Sequence, residues 1–161
     1  MSETRTAPET FMAEAVDLAR RNIRERKGGP FGAVIVRNGR IVARGTNLVS
    51  STNDPTAHAE ITAIREACRT LRTFHLSDCE IYTSCEPCPM CLGAIYWARL
   101  KAVYFANTRT DAAAIGFDDD AMYREVSRPV STRTIPMVHL NNSEALEVFK
   151  EWESMEDKVR Y

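Results

Sequence analysis

Cys79-Glu80-Ile81-Tyr82-Thr83-Ser84-Cys85-Glu86-Pro87-Cys88-Pro89-Met90-Cys91 decides the fold, because within it the chain changes from one kind of secondary structure to another. Cys79–Ser84 reads as a short strand. Pro87 and Pro89 mark the start of a helix, since N–H groups of the first turn have no partner inside the helix and nothing is lost when proline removes them. Leu92, Ile95 and Tyr96 carry that helix to about Arg99, and Lys101–Ala106 follows as another strand.

Upstream, Phe11, Ala15, Leu18, Ala19 and Ile23 recur at helical spacing among charged residues, predicting an amphipathic helix over 10–26 that Gly28-Gly29-Pro30 stops. Phe31–Val36 and Arg40–Thr46 are β-rich runs joined by Asn38-Gly39, a pair suited to the positive φ angles of a type I′ hairpin turn. Asn53-Asp54-Pro55-Thr56 is a turn and cap signal, and Ile61, Ile64, Ala67, Cys68 and Leu71 then predict a helix at about 57–71, with His58 and Glu60 in its first turn. Downstream, Asp111–Gly116 and Asp119–Val126 read as short helices, Ile135–Leu140 as a last strand, and Leu146, Phe149 and Trp152 as the apolar side of a closing helix. Strands alternating with helices in this way predict an α/β fold, a three-layer α/β/α sandwich around a five-stranded sheet, with residues 1–161 forming one domain. Ser127–Pro136 is linker-like and allows a hinge.

A chain of 161 residues, 44% of them hydrophobic, is long enough to build its own core without a covalent staple. Its formal net charge of −1 points to no polyanionic partner, so no nucleic acid is expected. Met1–Pro8 lacks the apolar core of a signal peptide and no segment approaches a membrane span; a soluble cytoplasmic protein is expected. The cysteines number 5, an odd count, and Cys85, Cys88 and Cys91 crowd together, which favours metal binding over a disulfide framework.

Cys88 and Cys91, three residues apart at a helix start, face one side and meet free N–H groups, both of which favour thiolates. His58, at the start of the preceding helix, supplies a third ligand if the two helix starts lie side by side. Two arrangements are then open. Three ligands leave a fourth position for water, as in a catalytic zinc site; Cys85 as a fourth ligand would make a closed structural site. The position of Cys85 at the end of a strand favours the open site, as does Glu60, placed to act as general base and then general acid beside the water. Phe31 and Trp97 are candidates to sandwich a flat ring.

With these residues the chain resembles the cytidine deaminase-like superfamily, whose zinc deaminases carry His-x-Glu followed by Pro-Cys-x-x-Cys, here His58-Ala59-Glu60 and Pro87-Cys88-Pro89-Met90-Cys91. Gly29–Val36, Asn53–Glu60, Thr83–Trp97 and Ile115-Gly116-Phe117-Asp118-Asp119 are similar in particular to the bacterial guanine deaminase branch. The resemblance implies a mixed sheet, one Zn²⁺ per subunit, and attack of zinc-activated water at C2 of guanine to give xanthine and ammonia. It also implies that backbone groups at Ala59 and Ser84 face the reacting base, that Asn47 hydrogen-bonds the purine edge, and that Asp119 contacts the base. Finally, it implies a homodimer in which an exchanged C-terminal segment delivers Tyr161 to the partner's site. Guanosine deamination is the near alternative, and cytosine or tRNA-adenosine deamination a more distant one. A non-catalytic zinc-stapled binding module is the alternative of another class.

Overall fold

The computed structural model describes residues 6–161; Met1–Arg5, part of the segment read as lacking a leader, lies outside them. The chain divides into two compact units, one ending at Asp119 and the other spanning Asp120–Tyr161. No described helix is long and apolar enough to cross a membrane.

The first unit opens with helix α1, Ala7–Arg24. Its start is fixed by the Thr6 backbone N–H, which donates to the Glu9 carboxylate at 2.7 Å. Strands β1 (Gly32–Arg37) and β2 (Arg40–Thr46) form the expected antiparallel hairpin. Its turn residues Asn38 and Gly39 adopt the positive φ angles, 51° and 70°, that the Asn-Gly pair permits. A single turn of helix, α2 (Val49–Thr52), leads to α3 (Ala59–Leu71). Strand β3 (Cys79–Cys85), helix α4 (Pro89–Trp97) and strand β4 (Ala102–Asn107) follow, then the short α5 (Arg109–Ala114).

The sheet runs β2-β1-β3-β4, with β3 antiparallel to β1 and parallel to β4, so it is mixed. Successive side chains of β1 go to opposite faces. Ala33 and Ile35 join Ile81 in a core covered by Ala59, Ala63, Ile64 and Ala67 of α3 and by Ile95 of α4. Val34 and Val36 join Tyr82 in a second core with Leu18 of α1. Phe11 meets the Tyr82 ring edge-on at 5.3 Å. Helices thus cover both faces of the sheet, as the alternating pattern predicts.

The second unit holds α6 (Asp120–Ser127), a 3-10 turn at Val130–Thr132, and α7 (Ser143–Ser154), which Asn142 caps by accepting from Ala145 N–H at 3.2 Å. The expected fifth strand is a correction: the sheet has four strands, and residues 135–140 are irregular. Ile135, Val138 and Leu140 are 78%, 77% and 79% exposed, so the apolar residues that suggested a strand are not buried. A lone run of β-forming residues is not stable without a partner edge.

Candidate active site

His58 and Cys88 occupy equivalent positions in their own helices. Each is the N-cap residue, with backbone angles of −68°/159° for His58 and −66°/168° for Cys88. The approach to His58 is fixed by an Asx turn: the Asp54 carboxylate accepts from Thr56 N–H at 2.8 Å and from the Thr56 hydroxyl at 2.6 Å, and His58 N–H donates to Thr56 C=O at 2.8 Å. Gly45 lets the helix start come close to the sheet, because a Cβ there would lie 2.2 Å from Ala59 C=O. The approach to Cys88 runs off the end of β3.

The two helix starts meet. His58 Nδ1 lies 3.5 Å from Cys88 Sγ and 3.5 Å from Cys91 Sγ. Among the described residues, these three form the one group of His, Cys, Asp and Glu whose ligand atoms all lie within 4.8 Å of one another. With Zn–S near ~2.3 Å and Zn–N near ~2.0 Å, the S···N edge of a tetrahedron is about 3.5 Å, so the donor set fits Zn²⁺ in identity and spacing. Cys91 is fully buried, while His58 and Cys88 are half-buried.

The electrostatics suit a cation. Cys91 donates a hydrogen bond to Cys88 and His58 adds its own, and together they pull the Cys88 thiol down to about 4. Cys91, the donor in that pair, holds its proton more tightly than a free thiol. The hydrogen bond to Cys88 raises His58 in turn. A divalent ion bound by these residues would take the place of the protons that the cluster otherwise shares.

Glu60, in the first turn of α3, is buried at 6% exposure, and burial pushes its carboxyl upward. A carboxyl displaced toward neutrality gives and takes protons more readily than an ordinary one. Cys85 stands apart from the ligand group. It is buried, its Sγ lies 3.6 Å from Thr108 C=O, and burial followed by the charge of Glu60 raises its thiol to about 11.

Asn47 is buried, and its Oδ1 accepts from the backbone N–H groups of Gly29 at 3.2 Å and Val49 at 3.3 Å. Ser84 is buried with its hydroxyl accepting from Gly32 N–H at 3.0 Å. Ala59 is buried at the start of α3, where helix N–H groups lack partners within the helix. Phe31 meets Phe117 edge-on with ring centroids 4.9 Å apart. Trp97, the last residue of α4, is 69% exposed. Asp119 has its carboxyl raised by partial burial and by the charge of Cys88. Tyr161 lies in the second unit and is 72% exposed. Sequence pattern gives no signal for the contact of Phe117 with Phe31, nor for Asn22, which interrupts the apolar side of α1.

Residues 5–107 match the family described as the cytidine and deoxycytidylate deaminase zinc-binding region. The chain is 54% identical over 153 residues to guanine deaminase of Bacillus subtilis (strain 168), spanning 95% of this chain and 98% of that one. The X-ray structure of guanine deaminase from Bacillus subtilis matches with a TM-score of 0.93 over 95% of this chain and 98% of that one. Guanine deaminase from Nitrosomonas europaea matches at 39% identity and a TM-score of 0.68, over 73% of this chain and 68% of that chain. The tRNA-specific adenosine deaminase of Aquifex aeolicus is 44% identical over 98 residues, 61% of this chain and 64% of its own length. The family match covers most of the chain and includes both halves of the zinc cluster, and the protein therefore belongs to the cytidine and deoxycytidylate deaminase family of zinc enzymes.

Proposed function

We propose that the protein hydrolyses guanine to xanthine and ammonia. The observation that carries this reading is the reach of the likeness. The match to the Bacillus subtilis guanine deaminase spans 95% of the chain, whereas the match to the Aquifex aeolicus tRNA-specific adenosine deaminase spans 61%. What favours guanine is therefore likeness over nearly the whole length of both chains.

His58, Cys88 and Cys91 hold one Zn²⁺. Bound there, zinc acidifies water and withdraws electrons from the atoms it contacts. Glu60 takes a proton from the water that adds to C2, protonates the adjacent ring nitrogen, and delivers a proton to the departing amine. One C–O bond forms, one C–N bond breaks, and the proton count closes on xanthine and ammonia. Backbone groups at Ala59 and Ser84 face the charge that develops on the ring and the amine. Asn47 donates to the purine edge, Asp119 contacts the base, and Phe31 and Trp97 lie against its flat faces.

Residues 1–161 work as one deaminase domain in a cytoplasmic homodimer serving purine catabolism. Its C-terminal segment is exchanged, so that Tyr161 serves the partner's site. The exposure of Ile135, Val138, Leu140 and Phe149 (78%, 77%, 79% and 74%) supports that arrangement, since a second copy would cover them.

The test is ammonia release by zinc-loaded protein from guanine, guanosine, cytosine and adenine. Turnover of guanine ahead of the other three is expected, and Glu60→Gln should lower it by about 10²- to 10⁴-fold. Turnover of none of the four would overturn the reading in favour of a binding module, and preference for another base would reassign the substrate.

A further inference from the structure

Asn22 stands where α1 calls for an apolar residue, one helical turn beyond the buried Leu18 and Ala19, and it is only 2% exposed. A buried carboxamide is costly unless it is hydrogen-bonded. Asn22 Nδ2 meets that need by donating to carbonyls of two separate segments, Gly29 C=O at 2.9 Å and Asn47 C=O at 2.7 Å. Its Oδ1 is buried without a hydrogen-bond partner among the described residues, so the donor end is the end in use.

Both carbonyls belong to residues that are already linked. Gly29 N–H donates to Asn47 Oδ1 at 3.2 Å, Val49 N–H donates to the same oxygen at 3.3 Å, and Asn47 N–H donates to Phe31 C=O at 3.2 Å. Two backbone donors on Oδ1 settle the sense of the Asn47 carboxamide and turn its NH₂ away from the backbone. Clearance around this knot is minimal, since a Cβ on Gly28 would lie 2.1 Å from Asn47 C=O.

We propose that Asn22 is a positioning residue for base recognition: by clamping the carbonyls of Gly29 and Asn47 it holds the Asn47 carboxamide with its donors toward the purine and keeps Phe31 in register beside it. The proposal rests on the reading in which Asn47 meets the purine edge. Without the clamp, two carbonyls lose their donor, and the Gly29 N–H that orients Asn47 is released. A flipped Asn47 would then offer an acceptor where the base requires a donor.

The experiment compares Asn22→Ser in the native and Asn47→Ala backgrounds, using zinc-loaded protein and guanine. In the native background the substitution should raise KM about ten-fold while kcat stays within about three-fold and zinc remains at one per chain. In the Asn47→Ala background it should change KM less than about two-fold, because the residue it acts through is gone. An unchanged KM in the native background, or the same rise in both backgrounds, would overturn the proposal. Should Asn22→Ser fail to fold, Gly28→Ala disturbs the same carbonyl from another side and is subject to the same two criteria. A native enzyme that turns over a different base would sink the guanine reading alone, and the cycle would then be run on that base.

Discussion

The donor group His58, Cys88 and Cys91 was legible in the sequence because its parts are marked by local spacing. His58 and Glu60 are two residues apart at the start of α3, Cys88 and Cys91 three apart at the start of α4, and the N-cap with the first turn after it sets each pair. What spacing could not give was the distance between the pairs, which the structure sets at 3.5 Å from each Sγ to His58 Nδ1. Asn22 was illegible for the opposite reason. Its partners lie 7 and 25 residues away, and an asparagine inside a helix carries no signature until the fold surrounds it. Cys85 shows how the open and closed readings of the metal site can be separated by experiment. Its Sγ lies against Thr108 C=O and its thiol is raised to about 11, so it is neutral at ordinary pH and outside the ligand group. Cys85→Ser should therefore retain one zinc per chain by atomic absorption, whereas Cys88→Ser should lose it; loss of zinc from both would mean that Cys85 is a ligand.

At the level of elements, sequence periodicity located α1, β1, α3 and β3 because each buries one face against a layer. The apolar stripe of α1 lies on Val34, Val36 and Tyr82, while that of α3 lies on Ala33, Ile35 and Ile81. Helix α2 escaped notice because four residues are too few to show a period. Ile135–Leu140 misled because β-forming residues alone do not make a strand without a neighbour to pair with, and these residues are irregular. A close element contact near the site is that between β2 and α3, where Gly45 faces Ala59 C=O and Ala63 N–H. A Cβ at Gly45 would lie 2.2 Å and 2.4 Å from those backbone atoms, and backbone atoms do not step aside as a flexible side chain would. Gly45→Ala should push the start of α3 away from the sheet, costing about 1–3 kcal/mol of stability as overpacking does and moving His58 out of reach of the two sulfurs. Thermal unfolding with and without added zinc is the measurement. A variant whose stabilisation by zinc matches that of the native protein would show that the helix start can shift without disturbing the metal site.

For the whole molecule, the sequence announced that the last helix has an apolar side but could not say which chain covers it. Leu146, Phe149 and Trp152 are 57%, 74% and 39% exposed, so that side is not buried by the second unit's own residues. If the C-terminal segment is exchanged, Tyr161 acts in trans, and this has a consequence that no arrangement within one chain can produce. A Glu60→Gln subunit lacks the proton carrier but keeps its tyrosine; a subunit without Tyr161 keeps Glu60 but lacks the tyrosine. Each homodimer should be slow on guanine. In a mixed dimer, the site containing Glu60 receives Tyr161 from its neighbour and is complete, while the other site lacks both. Co-expression in equal amounts makes about half the dimers mixed, each with one complete site of two, so activity should recover to about a quarter of the native value. If Tyr161 serves its own chain, every site in every dimer lacks one of the two residues, and the mixture should do no better than the average of its parents.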